Sequence, residues 1–360
     1  APGSSPDDRA VAEQQLWHLL AVDEASMLEL PNLLLAGSGF REDGQVLVGG
    51  DHRQLPPVQK RDWDDVRRRD IRSTAAHLST LDYVRFLRGD DVLEEEQESW
   101  VACERDPEAI CLPLVQLDTT YRFGEWTAQF IQQTVYEKDG IPYRSGRSPD
   151  PVSTAEADLD DPFGQLFNGE TTVALLTYAG ERGYRQWNPI ESVLTEALIM
   201  ATAKTADVGV VTPHNAQRGR VQSLLQERGY AVGGEEIEEG DEETVQDIQV
   251  ETVNRFQGGE RDLMAVNATV SDPNYIAAED EFLLTENRIN VSFTRHRNLL
   301  VVLAPEALLG YLPDDPDLYD QACLWKTLAM ELGESPGMSG TTPDWSGALG
   351  HVLAAVDMES

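Results

Sequence analysis

Short apolar runs that end abruptly in polar, glycine- or proline-bearing loops recur along the chain. "HLLAVDEAS" (18–26) and "GQVLVGGDHRQLPPV" (44–58) each read as an apolar strand feeding a polar loop, the kind of loop that lies at the carboxyl ends of parallel strands. "LPLVQLDTTYRF" (112–123) predicts a further strand, and "EWTAQFIQQTVY" (125–136) a helix. "TTVALLTY" (171–178) predicts a strand and "ESVLTEALIMATAKT" (191–205) a helix, while "VGVVTPHNAQRGRVQSLLQERG" (208–229) reads as strand, polar turn and helix. "IQVETVNRFQGGERDLMAVNATV" (248–270) and "NRINVSFTRHRNLLVVLAP" (287–305) continue the alternation, the latter as a helix feeding a strand. Alternating strands and helices predict parallel sheets covered on both faces. The acid-rich stretch 89–109, the loop 144–162, the acidic run "GGEEIEEGDEET" (233–244) and everything after about 335 interrupt this alternation as loops or tail.

With 360 residues, two domains are expected more readily than one. The formal net charge is -36, from 64 Asp plus Glu against 28 Lys plus Arg, and only four of the basic residues are lysines. At 41% hydrophobic residues the chain is nevertheless expected to fold. Such acidity ordinarily argues against nucleic acid; the alternative is a halophile's hydrated, lysine-poor surface, which still tolerates a local basic groove. The salt reading is preferred. Cys103, Cys111 and Cys323 lack metal-site spacing and are expected to be buried free thiols. No apolar run reaches the ~20 residues of a membrane span, no signal peptide is visible, and a cytoplasmic protein is expected. The first residue is Ala rather than Met, which suggests a processed or excised piece.

Asp23 and Glu24 at a strand end form the acid pair that P-loop ATPases use for Mg²⁺ and for the attacking water, although the same four letters "DEAS" also suit a helix start. Gln54 in "GDHRQLPPV" could bond a phosphate or the lytic water, or belong to an ordinary Pro-Pro turn. Tyr121 and Arg122 offer a flat ring and a guanidinium side by side; the plainer alternative is a half-buried Tyr beside a surface Arg. Gly258 and Gly259 before Glu260 allow close approach of backbone to a ligand, or make a simple turn. Arg295 and Arg297 close a predicted helix, where cations also complement a helix C-terminus.

In this order the stretches resemble superfamily-1 helicases of the type containing the nonsense-mediated-decay helicase, senataxin and the replication nuclease–helicases. "VDEAS" looks like motif II, "GDHRQLPPV" like motif III and "TTYR" like the opening of the second RecA-like domain. "VVTPHNAQ", "VETVNRFQGGERD" and "NVSFTRHRN" resemble the later motifs, up to motif VI. The resemblance implies tandem RecA-like P-loop NTPase domains: the C-terminal part of the first at 1–110, the second at 111–332 and a tail at 333–360. It implies ATP and Mg²⁺ as cofactors and single-stranded DNA or RNA as partner, DNA favoured, with no membrane role. Asp23 would be the Mg²⁺ ligand, Glu24 the general base and Gln54 the γ-phosphate sensor. Tyr121 would stack on adenine, Gly258 would lie against the nucleotide, and Glu260 would meet the ribose. Arg122 and Arg295 would be paired arginine fingers. Pro56, Thr212, Pro213 and Thr252 fall where the family touches a single strand, with strand-end packing as an equal alternative. His214 stands where relatives often carry an aromatic; it could stack on a base, with a plain surface histidine the preferred reading, and His296 has only the surface reading.

The pattern breaks at the phosphate cradle G-x-x-x-x-G-K-[ST]. None of Lys60, Lys138, Lys204 and Lys326 follows a glycine. The expectation is therefore an incomplete first domain, completed by an upstream P-loop-bearing segment of the same or a partner chain. A non-catalytic nucleic-acid-binding or adapter remnant is the alternative. Retention of Glu24, Gln54, Arg122 and Arg295 together favours the motor.

Overall fold

A computed structural model describes residues 17–57, 78–88, 112–152, 166–167, 171–179, 183–233, 247–256 and 259–334, without the side chains of 42, 247, 317, 333 and 334. Lys60, Cys103, Cys111, Gly258, the stretch 89–109, most of the acidic run and the tail from 335 lie outside the described residues. The chain divides into two compact units, Ala1–Gln116 and Leu117–Ser360.

In the first unit, β1 (Trp17–Val22) and β2 (Phe40–Val48) pair in parallel, joined through α1 (Leu30–Ala36); α2 (Thr80–Arg88) follows. Val22 pairs with Val48, so both strands release their loops at the same level. Both expected strands are present, but Trp17, Leu19, Val46 and Leu47 are exposed. The two strands among the described residues cannot by themselves bury a parallel ladder, which needs a layer on each face.

Among the described residues the second unit is built around a six-stranded parallel sheet. Its six strands are β5 (Val173–Tyr178), β6 (Val208–Thr212), β7 (Ala231–Val232), β8 (Asp247–Thr252), β9 (Arg261–Asn267) and β10 (His296–Pro305), in the order β5-β10-β9-β6-β8-β7. All pairings are parallel. The central strands are continuous apolar runs because both faces are covered. Ala174, Leu176, Val208, Val210, Leu263, Ala265, Val301 and Leu303 pack on α4 (Pro189–Thr202) and α5 (Asn215–Glu227). On alternate positions Leu175, Met264, Leu300 and Val302 are equally buried. An aromatic group made of Phe130 from α3 (Glu125–Ile131), Phe293 from α8 (Glu286–Phe293) and Trp325 from α10 (Tyr319–Glu334) forms a second core. α6 (Pro273–Ala278), α7 (Asp280–Leu284) and α9 (Glu306–Leu309) complete the unit, with a two-residue parallel pair of β3 (Thr119–Thr120) and β4 (Arg144–Ser145).

The structure corrects the sequence reading in several places. The strand expected over 112–118 joins no sheet; only Thr119 and Thr120 pair, and Leu114, Val115 and Leu117 are exposed. Of the backbone of that stretch, only the Asp118 carbonyl is bonded to the neighbouring β4, accepting from Arg144 N–H at 3.0 Å. The short helices α1, α2, α6, α7 and α9 span too few turns to show a 3.6-residue period. α10 is absent from the sequence reading although its period was there to find: Leu318, Ala322, Trp325, Leu328 and Leu332 repeat every three or four residues and are buried. Cys323 lies off that stripe and is an exposed free thiol, not a buried one. No helix among the described residues is long and apolar enough to cross a membrane.

Candidate nucleotide and nucleic-acid sites

In the first unit the acid pair sits where β1 and β2 end together. The Asp23 and Glu24 side chains are exposed, so neither suffers the desolvation that a charge at a buried strand end would. Asp23 Oδ1 accepts from the Glu24 backbone N–H at 2.9 Å. Glu24 adopts φ 50°, left-handed backbone that a non-glycine residue enters at a cost of about 1 kcal/mol or more. The loop after β2 locks onto this turn: Gly49 N–H donates to Val22 O at 2.8 Å, and Ala25 N–H to Gly49 O at 2.9 Å. At Gly50 a Cβ would come within 3.0 Å of Ala25 N, so a side chain would push the two loops apart. Gln54 is tethered in the same loop, its Nε2 donating to Asp51 Oδ2 at 3.2 Å. Asp23, Glu24 and Gln54 thus share one rim. Pro56 is exposed between the buried Leu55 and Pro57.

Among the described residues no group of three or more His, Cys, Asp and Glu could hold a metal. A single carboxylate on an exposed rim nevertheless suits Mg²⁺, which keeps most of its waters and binds through one or two carboxylates and phosphate oxygens.

In the second unit the expected residues separate to opposite ends of the sheet. Arg122, Glu260 and Arg295 gather at the amino ends of β9 and β10. Arg122 Nε donates to Glu260 Oε2 at 2.9 Å, and Arg122 Nη1 donates to Thr294 O at 3.0 Å. Residues 138 and 172 positions apart in the chain are thereby joined. Arg295 is buried, 3% exposed, and its carbonyl accepts from Arg261 N–H at 3.0 Å. Tyr121 is 73% exposed rather than half-buried. Its ring lies so close to Gly146 that a Cβ there would meet it at 2.5 Å; glycine permits that approach while the ring stays available for stacking. Gly259 is described beside Glu260; Gly258 is not.

Thr212, Pro213 and Thr252 lie at the other end, roughly 20 Å along the sheet at ~3.3 Å per residue. Thr212 and Thr252 are register partners at the carboxyl ends of β6 and β8. Both are buried; the Thr212 hydroxyl donates to His214 O at 3.0 Å, and Thr252 O accepts from the N–H groups of Arg255 and Phe256. These threonines pack and cap strand ends, and Pro213 between β6 and α5 is partly exposed.

Neither histidine is at the surface. His214 is half-buried against Phe282, centroids 5.4 Å apart, and burial lowers its pKa. His296 is fully buried, stacked on Phe123 at 5.4 Å, with Nδ1 2.8 Å from Phe293 O and Nε2 3.3 Å from Thr127 Oγ1. Burial drives its pKa down to about 4, so the ring is neutral. Arg297 faces the same group of acids: it lies 3.1 Å from Asp262, 3.6 Å from Asp207 and 3.9 Å from Glu260.

Sequence reasoning missed two groups. Arg147 donates from Nη1 to Arg122 O at 2.8 Å and from Nη2 to Asn298 Oδ1 at 2.8 Å, bracing the backbone that carries Arg122. It sits in a stretch that reads only as loop, without a signal to find it. The second group surrounds Glu191, fully buried, near the carboxyl ends of β5 and β9. Glu191 accepts from Tyr178 OH at 2.6 Å and from Thr269 N–H at 2.8 Å, while Thr269 itself is left-handed at φ 69°. Asn188 caps α4 through Ile190 N–H and donates to Tyr178 OH and Thr269 O; its own N–H goes to Gln217 Oε1. Burial pushes the Glu191 carboxyl up to about 8 against the opposing pull of these donors. "NPIE" (188–191) did carry a signal: an Asn cap, Pro at the first helical position and an acid three residues on.

The family model described as "AAA domain" matches residues 103–307, more than half of the chain. Among curated proteins, the chain is 28% identical over 278 residues to "Regulator of nonsense transcripts 1 homolog" of Neurospora crassa, covering 74% of this chain and 20% of that protein. It is 23% identical over 300 residues to "DNA polymerase alpha-associated DNA helicase A" of Schizosaccharomyces pombe, covering 80% and 37%. The chain thus spans well under half the length of these relatives. A solved arterivirus nonstructural protein 10 helicase aligns at 14% identity and a TM-score of 0.32, over 79% of this chain and 38% of that one, too low to carry weight beside the observed strand order. The RecA-like parallel sheet, the ordered motifs and the matched model lead to one assignment: the chain belongs to the AAA-domain family, as a superfamily-1 helicase of the type that includes the nonsense-mediated-decay helicase, senataxin and the replication nuclease–helicases.

Proposed function

We propose that this chain is the C-terminal part of an ATP-dependent motor that translocates on single-stranded nucleic acid, DNA favoured over RNA. The observation that carries the reading is the meeting of Arg122, Glu260 and the Thr294–Arg295 backbone, from three distant segments, beside the open ring of Tyr121. A packing role would not require a stacking ring left exposed next to a braced arginine. In this reading Asp23 holds Mg²⁺, Glu24 orients and deprotonates the attacking water, and Gln54 senses the terminal phosphate. Tyr121 stacks on adenine, Gly258 lies against the nucleotide, and Arg122 and Arg295 meet charge that develops on the transferred phosphoryl group. Bound Mg²⁺ supplies charge neutralisation of the phosphates. The left-handed backbone at Glu24 supports its role, because strained backbone concentrates at functional turns.

Pro56 and Pro213 contact the single strand, and Thr212 and Thr252, buried as strand-end caps beneath it, meet it only where the strand ends open toward it. Residues 1–110 and 111–332 are the two RecA-like domains, the first completed by a P-loop-bearing segment of the same or a partner chain. The protein acts in the cytoplasm of a halophile, where salt screens its acidic surface. The test is turnover. Residues 1–360 alone should show no appreciable ATP hydrolysis with or without single-stranded DNA, since no lysine of the sequence follows a glycine and most β,γ-phosphate binding comes from that cradle. Addition of the P-loop segment should restore DNA-stimulated hydrolysis. Robust turnover by the chain alone would remove the need for that segment, and none with it would favour the adapter reading.

A further inference from the structure

Glu260 presents its two carboxylate oxygens to two different arginines. Oε2 accepts from Arg122 at 2.9 Å, while Oε1 lies 3.9 Å from Nη1 of Arg297. The two guanidinium groups are held unequally. Arg297 has Asp262 and Asp207 as further acidic neighbours, whereas Glu260 is the one acidic partner of Arg122 among the described residues. The Arg122 backbone is fixed: Arg147 donates to its carbonyl, and its N–H donates to Thr120 Oγ1 at 3.2 Å. Its ion pair is half-exposed on both sides, and such pairs are weak. Arg122 is therefore a side chain with an anchored base and a head held by one half-exposed ion pair and the Thr294 carbonyl, which it must leave together.

We propose that Glu260 is a parking acceptor that keeps Arg122 off the phosphate chain, and that Arg297 takes over Glu260 when Arg122 turns to a bound nucleoside triphosphate. This rests on the nucleotide reading above. A carboxylate stripped of its partner beside a triphosphate would repel it; Arg297, already 3.9 Å away and anchored by two other acids, removes that penalty. A guanidinium exchanges one oxyanion for another at small cost, because carboxylate and phosphate present similar acceptors to its planar fork.

The test measures binding of adenosine 5′-(β,γ-imido)triphosphate with Mg²⁺, and of adenosine as a control, to residues 1–360 by ligand-observed NMR, which reads weak dissociation constants. Glu260→Gln should tighten triphosphate binding by about 3- to 10-fold and leave adenosine unchanged. In an Arg122→Ala background the same substitution should have almost no effect, because there is no parked arginine to release. Arg297→Ala should weaken triphosphate binding, and Glu260→Gln should cancel that loss. Equal tightening with and without Arg122 would mean simple removal of a repulsive charge and would overturn the hand-off. Weaker triphosphate binding in Glu260→Gln would restore Glu260 to direct ligand contact and also overturn it. If the chain binds neither compound at the highest soluble concentration even with the P-loop-bearing segment added, the nucleotide reading falls and takes this inference with it.

Discussion

The two ends of the six-stranded sheet are built on different principles. At the amino ends of β9 and β10, arginines and acids meet in half-exposed pairs: Arg122 with Glu260, and Arg297 with Asp207 and Asp262. At the carboxyl ends of β5 and β9, polar groups are fully buried and answered mainly by neutral donors, as Glu191 is by Tyr178 and Thr269. Exposed pairs are cheap to break and re-form; buried networks are costly to disturb. The amino end is suited to exchange partners during a cycle, and the carboxyl end to hold its loops in one arrangement. A motor needs both.

The comparison is broken most sharply at Arg295. In a hydrolysing assembly that includes the P-loop segment, Arg295→Ala should lower kcat by roughly 10³-fold with much less effect on ATP binding, and Arg295→Lys should rescue poorly. Steady-state hydrolysis beside melting temperature separates this from a structural role. A variant that melts earlier yet turns over normally would leave the amino end with no chemistry at Arg295. Because Arg297 pairs with Glu260, it is not the neutral comparison; Arg185, paired with Asp272 at 2.9 Å near α6, is the better one.

Next in size is the stability contrast. Glu191→Ala strands a buried N–H and a buried hydroxyl and should cost on the order of 3 kcal/mol by urea denaturation. Glu260→Ala breaks only a half-exposed pair and should cost ~1 kcal/mol or less. Similar costs would erase the distinction between the two ends.

The pH dependence sharpens it further. Glu191 is raised from 4.5 to about 8, so across that window the native state holds a proton the unfolded state has lost, and stability falls as pH rises. His296 is depressed from 6.5 to about 4, so stability falls as pH drops through that window. The two oppose one another in the overlap and leave Glu191 to act alone above 6.5. Melting temperature should therefore decline from there toward 8, and Glu191→Gln should flatten the decline. An unchanged slope would mean that the native carboxyl is ionised, held so by Thr269 and Tyr178.

The smallest effect per residue is that of salt. Screening weakens the amino-end pairs, but the -36 formal charge makes whole-chain repulsion the larger contribution at low ionic strength, where the Debye length is ~30 Å at 0.01 M. Melting temperature should rise from low to molar KCl. Equal stability across that range would remove the halophile reading.

Much of the strand–helix alternation was legible, because a parallel strand covered on both faces is a continuous apolar run and the helices between them are long enough to show their period. Asp23, Glu24 and Gln54 were legible as neighbours because two short strands run directly into them. What sequence spacing could not reveal is which distant segments meet. Arg122, Glu260 and Arg297 lie on three segments, and only the strand order brings β9 beside β10 with the Tyr121 segment against their amino ends. Burial was likewise a tertiary outcome. His296 and Cys323 each read as the opposite of what they are, because exposure depends on which face of an element meets a neighbour. The residues themselves determined the motifs, the acidity and the absence of a lysine after glycine. The fold alone decided that the expected nucleotide and strand-binding residues of the second unit separate to opposite ends of one sheet, since a strand of seven residues sets its two ends that far apart.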